Sequence, residues 1–157
     1  MIGTVVTTSL ELGRWYVVYS KRHREEVVQF YLERKGLLVF FPRLLLQPFT
    51  KRPRIVPLFP NYLFVRIHKP VDYDIVRWSS GVVRVVDFYG HPAPLDEEVV
   101  EFLRKRVTPA GIITMDSSLT VRNKVENENG RIVRMNDLLN PHNSRDRVGV
   151  LMQLLSC

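Results

Sequence analysis

A chain of 157 residues, 45% hydrophobic and 25% charged, has the composition of one ordinary globular domain with a small appendage. Its single cysteine, Cys157, excludes an internal disulfide and any cysteine-based metal site, and no apolar run approaches the ~18 to 20 residues of a membrane-spanning helix. Lys and Arg exceed Asp and Glu by 23 to 16, and the excess is local, with 12 basic against 3 acidic side chains in residues 14–69. Such a block is either a solvated face or a surface for phosphates and acidic partners. The N-terminus lacks a basic start followed by an apolar stretch, which fits a protein of the reducing cytoplasm.

In chain order, residues 1–13 read as an N-terminal extension. "WYVVYSK" (15–21) is aromatic and β-branched on both faces and predicts a central strand. Residues 24–35 switch to the helical period, with Glu25 and Glu26 in the first turn, Val27, Val28, Tyr31 and Leu32 as the apolar set, and Gly36 as the stop. Leu37–Phe49 predicts a second strand. The cluster Lys51, Arg52, Pro53, Arg54 marks a basic hairpin tip before a third strand. A short helix is predicted over Asp72–Ser80, a fourth strand over Val82–Phe88, a turn at "YGHPAP", and a last helix over Asp96–Arg106 with Val99, Phe102 and Leu103 facing inward. The order β-α-β-β-α-β-α is the ferredoxin-like α/β (α+β) arrangement with an antiparallel sheet and one added helix. After "TPAG" the chain becomes rich in Asn and Ser, so residues 108–115 read as a linker and 116–157 as a separate segment, with β-like stretches at Arg131–Met135 and Arg147–Leu155.

The third strand, in "PLFPNYLFVRI", separates two faces. Leu63, Val65 and Ile67 fall on one, Tyr62, Phe64 and Arg66 on the other. The aliphatic set suits the helix-covered core. Tyr62 and Phe64, extended by Phe59 and Pro60, are then either covered by the last helix or the tail, or left as a docking surface for an apolar partner.

Three motifs in order, "WYVVYSKR", "PLFPNYLFV" and "GVVRVVDFYGHPAPL", resemble the N-terminal (NGN) domain of the NusG family of transcription elongation factors over residues 14–107. The Pro-Asn form of the middle motif is most similar to the specialised RfaH-like paralogs. The resemblance implies a non-enzymatic factor that binds the clamp helices of the largest RNA polymerase subunit through Phe59, Pro60, Tyr62 and Phe64, and suppresses pausing or termination on particular operons. It also implies contact between the non-template DNA strand and the strand–helix junction Lys21, Arg22, His23, Arg24, where phosphates would meet the cations and His23 a base. Val27 and Tyr31 stand where the RfaH type carries polar base-reading residues, and its His-Thr-Thr signature is absent near Asp72–Asp74. The tail keeps Gly130 and the apolar run of the family's KOW barrel, and "DRVGVLMQLLSC" resembles its fourth strand, but the Gly-Pro-Phe turn and fifth strand are missing. A short, degenerate KOW-like β segment is the expectation, and such a tail could instead mask the aromatic patch.

Catalysis has no support in the residues. His23, His68, His91 and His142 lack metal-ligand spacing, there is no Gly-rich phosphate loop, and neither cofactor nor metal is implied. The alternative class is a free-standing single-stranded nucleic-acid module of RRM-like fold, although the aromatic fingerprint of that fold is absent.

Overall fold

The computed structural model describes residues 10–47, 52–114, 124–126, 132–139 and 143–155, with the backbone alone for 124–126 and 132–136. Two units divide the chain: residues up to Phe41 with Asn61–Glu97, and Pro42–Pro60 with residues from Glu98 onward.

The first unit is built on β1 (Arg14–Ser20), which pairs antiparallel with β5 (Tyr62–Ile67) from Arg14 to Tyr19. The sheet runs β2 (Val39–Phe40), β5, β1, β6 (Val82–Val85), and β9 (Pro94–Leu95) adds to the Trp15 end of β1. β1 is central, as its two apolar faces predict. Helices α1 (Glu25–Arg34) and α2 (Pro70–Arg77) supply Val28, Leu32 and Val76 to a core completed by Tyr16, Val18, Leu63, Val65, Ile67 and Val85. The aliphatic face of β5 is therefore the core face. Asp72 reaches back from the first turn of α2 to accept the backbone N–H groups of His68 and Lys69 at 3.0 and 2.9 Å, and Pro70 opens the helix where no intrahelical donor is needed. α1 ends at Gly36, whose φ of +84° lets Leu37 N–H return to the Leu32 carbonyl at 3.1 Å. The inward set of α1 differs from the predicted one. Val28 and Leu32 are buried, but Tyr31 is exposed and Val27 half-buried, because a helix on a sheet buries a narrow stripe and the i, i+4 pair occupies it.

The second unit holds the hairpin of β3 (Arg43–Leu46) and β4 (Arg54–Pro57), helix α3 (Glu98 onward of Glu97–Arg104) and the C-terminal elements. The predicted strand Leu37–Phe49 is broken in two at Phe41-Pro42, since proline cannot donate to a ladder. Val99, Phe102 and Leu103 are buried as predicted, together with Val100. Residues 108–115, expected as a linker, contain strand β10 (Ile112–Thr114), which pairs parallel with β3. Arg43 fastens it, its backbone N–H to the Gly111 carbonyl at 3.0 Å and its guanidinium to the Ala110 carbonyl at 2.8 Å.

Beyond it, β11 (Lys124–Glu126) pairs with β12 (Ile132–Arg134), in keeping with the β-like stretch predicted at Arg131–Met135. A 3-10 turn (Met135–Leu139) leads to α4 (Ser144–Leu154). The predicted strand at Arg147–Leu155 is thus a helix. Arg147, Leu151 and Leu154 are buried at i, i+4 and i+7, and the Asn143 side chain caps the first turn by accepting from Arg145 N–H at 2.8 Å. A short hairpin, β7 (Asp87–Phe88) with β8 (His91–Pro92), turns through Tyr89 and Gly90 in the first unit.

Candidate functional site

The Pro-Asn step sets the geometry of the candidate surface. Asn61 has φ of +75°, a conformation that asparagine tolerates better than most residues, and three hydrogen bonds hold it there. Its backbone N–H donates to Glu25 Oε1 at 3.0 Å, its side-chain amide to the Ser20 carbonyl at 3.1 Å, and its carbonyl accepts Ser20 N–H at 2.7 Å. The end of β1, the start of α1 and the start of β5 are locked together at one residue. Glu25, counted in sequence only as a first-turn acid, is a buried acceptor for this lock.

The register that follows aligns side chains on the sheet face away from α1 and α2. Tyr62 stands opposite Tyr19, Phe64 between Val17 and Phe40, and Arg66 opposite Trp15. The Tyr19 and Tyr62 ring centroids are 5.1 Å apart, those of Phe40 and Phe64 5.8 Å. Cations close both ends: the Arg84 guanidinium lies 5.9 Å from the Tyr19 ring, and Arg66, 5.8 Å from the Trp15 ring, is paired with Glu97 at 2.8 Å. Tyr62 is half-buried and its hydroxyl pKa is raised, mainly by desolvation. Phe64, however, is 0% exposed. Of the two alternatives for this ring, covered or open, the structure has the covered one, and strand alternation could not choose because it assigns residues to faces and carries no information about what lies beyond the second face.

Phe59 and Pro60 lie on the other side of the unit boundary, which falls between Pro60 and Asn61. Phe59 is also 0% exposed, and Pro60 is half-buried. Beside them the buried Arg147 of α4 donates from Nε to the Leu58 carbonyl at 2.9 Å. Burial lowers the Arg147 pKa. Nothing in the sequence distinguished this arginine from the others of the tail.

Lys21, Arg22, His23 and Arg24 form an exposed turn between β1 and α1. His23 has φ of +59°, Arg24 N–H closes the turn on the Lys21 carbonyl at 3.1 Å, and among the described residues no carboxylate pairs with Lys21, Arg22 or Arg24. Such a surface can take phosphate oxygens without first breaking internal ion pairs. Among the described residues no group of three or more His, Cys, Asp or Glu side chains could hold a metal ion.

The NusG family, described as transcription termination factor nusG, matches residues 13–104, more than half of the chain. This protein belongs to the NusG family. It is accordingly a transcription factor of a non-enzymatic family whose members interact with RNA polymerase. A solved structure titled "Domain interaction in Thermotoga maritima NusG" is similar at 22% identity and a TM-score of 0.43, covering 71% of this chain and 70% of that one. Among the described residues no helix is long and apolar enough to cross a membrane.

Proposed function

We propose that this NusG-family protein is an elongation and antitermination factor that docks on the clamp helices of the largest RNA polymerase subunit through Phe59, Pro60, Tyr62 and Phe64, and suppresses pausing or termination on particular operons. The observation that carries the reading is the aromatic set on the second face of β5, where Tyr62 and Phe64 stand beside Tyr19 and Phe40. Aromatic anchors of this kind dominate the binding energy of protein interfaces. Since Phe59 and Phe64 are covered in this structure, docking requires a rearrangement that uncovers them. Within the second unit, the Arg147 contact with the Leu58 carbonyl, next to Phe59, nominates α4 as the element that leaves Phe59. Lys21, Arg22, His23 and Arg24 then contact the non-template DNA strand.

The test is capture of nuclease-treated RNA polymerase by three immobilised proteins: the full chain, the chain cut after Thr114, and Tyr62→Ala. Cutting should strengthen capture by removing α4. Losing Tyr62 should weaken it by about 2 kcal/mol, roughly 30-fold. If neither the full nor the cut chain captures polymerase, the reading is wrong.

A further inference from the structure

Trp78 follows the last residue of α2 and has no part in the surfaces described above. It is 74% exposed, whereas the only other tryptophan of the chain, Trp15, is 1% exposed. The Arg77 guanidinium sits 4.7 Å from the Trp78 ring centroid, so the ring carries a cation on one side while most of its surface stays open to solvent.

Backbone hydrogen bonds hold the turn that follows. Trp78 N–H donates to the Asp74 carbonyl, Ser79 N–H to Val76, and Val82 N–H to Ser79. Gly81 then accepts Lys21 N–H at 2.8 Å. Its φ is +90°, and a Cβ there would lie 2.9 Å from Val28 Cγ2 and 3.5 Å from Arg24 Cβ, so only glycine allows the turn to close against the junction of β1 and α1. Three residues of chain, at most about 10 Å, separate Trp78 from that contact. The backbone of Trp78 is thereby held within about 10 Å along the chain of the point where Gly81 meets Lys21, and the Arg77 guanidinium lies over its ring. Asp74, one turn earlier on α2, is an opposing charge.

We infer that Trp78 is a stacking platform for an unpaired base of a single nucleic-acid strand whose phosphates run over Lys21, Arg22 and Arg24. The inference rests on the reading of that junction as a phosphate-binding turn. An exposed ring on the turn that meets a junction whose cations have no carboxylate partner among the described residues suits such a strand, because the ring binds any base while the cations bind the backbone. An apolar protein partner would instead have to desolvate these unpaired cations.

Trp78 supplies its own probe, since Trp15 is buried and contributes a constant background. The full chain is titrated with oligothymidylate and with oligouridylate while tryptophan emission is followed, and the titration is repeated across a salt series. Saturable quenching is expected, and the tighter of the two oligonucleotides identifies DNA or RNA as the source of the strand. Trp78→Ala should weaken binding roughly 5- to 150-fold, with Trp78→Phe close to the parent. A K21A/R22A/R24A variant should still quench at saturation but with a flattened salt dependence. Saturable binding without quenching, and with Trp78→Ala unchanged, overturns the platform while leaving the junction intact. Quenching that persists with an unaltered salt slope in the triple variant removes the junction reading and overturns the inference with it, since the phosphates then do not run over those cations. Loss of polymerase capture by Trp78→Ala with oligonucleotide binding unchanged overturns the platform in favour of a protein contact.

Discussion

Asn61 shows how one residue places a whole surface. Its left-handed backbone starts β5 in the register that aligns Tyr62 with Tyr19, and its side chain ties that start to Ser20. Asn61→Gly removes one hydrogen bond but relieves backbone strain; Asn61→Ala removes the bond and keeps the strain. The alanine variant should therefore be less stable than the glycine variant by about 1 kcal/mol in urea titration. On the next residues, Leu63→Ala and Phe64→Ala should both cost several kcal/mol, roughly 2 to 5, because both side chains are fully buried. Only Tyr62→Ala, losing a half-buried ring and its pairing with Tyr19, should be mild enough to separate docking from folding. Tyr16 adds a pH dependence. Burial raises its pKa above the ordinary 10.0, against the lowering effect of the Glu11 N–H that its oxygen accepts at 2.8 Å; the hydroxyl itself donates to the Glu11 carbonyl at 3.1 Å. The unfolded chain then releases the proton first, so stability holds below about pH 10 and falls as pH rises from there through the raised folded value. Denaturation midpoints of Tyr16→Phe should be flatter over that window.

At the scale of elements, the C-terminal segment is tied to the hairpin of its own unit rather than tethered loosely. β10 extends the β3–β4 sheet by parallel pairing, with Ile113 fully buried, so a cut after Gly111 would strip the edge of β3. A chain ending at Thr114 should keep a cooperative thermal transition, and one ending at Gly111 should melt lower. Loss of folding in the Thr114 form would show that residues beyond β10 are needed for stability. α4 carries its own signals, an Asn143 cap and an i, i+4, i+7 stripe. Its buried stripe includes a charged residue, Arg147, a desolvation cost that only a defined partner such as the Leu58 carbonyl offsets.

For the whole molecule the relevant quantity is charge distribution. The formal net charge of +7 is dominated by residues 14–69, and within it Lys21, Arg22 and Arg24 are exposed without carboxylate partners among the described residues. If these three neutralise phosphates of a single strand, replacing them by alanine should reduce the slope of log affinity against log salt by about 2, at ~0.7 per cation. An unchanged slope would assign the cluster to solubility alone. The other basic group, at the hairpin tip, includes Lys51, which lies outside the described residues, while Arg52 and Arg54 are exposed.

The sequence by itself determined the order of the main elements from β1 to α3, the central place of β1, the core face of β5 and the inward residues of α3, because each depends on a local period or on a stop such as Gly36 or Gly81. It also carried the family, through motifs whose residues are neighbours in the chain. Tertiary structure decided what periodicity cannot: which of two apolar pairs on α1 meets the sheet, that Phe59 and Phe64 are covered, that residues 112–114 pair with a strand some seventy positions earlier, and that the last apolar run is a helix. The physical reason is common to all four. Burial and strand pairing are properties of contacts between distant segments, and an apolar run of ten residues satisfies a helix or a strand equally well until its neighbours fix which side is hidden from water.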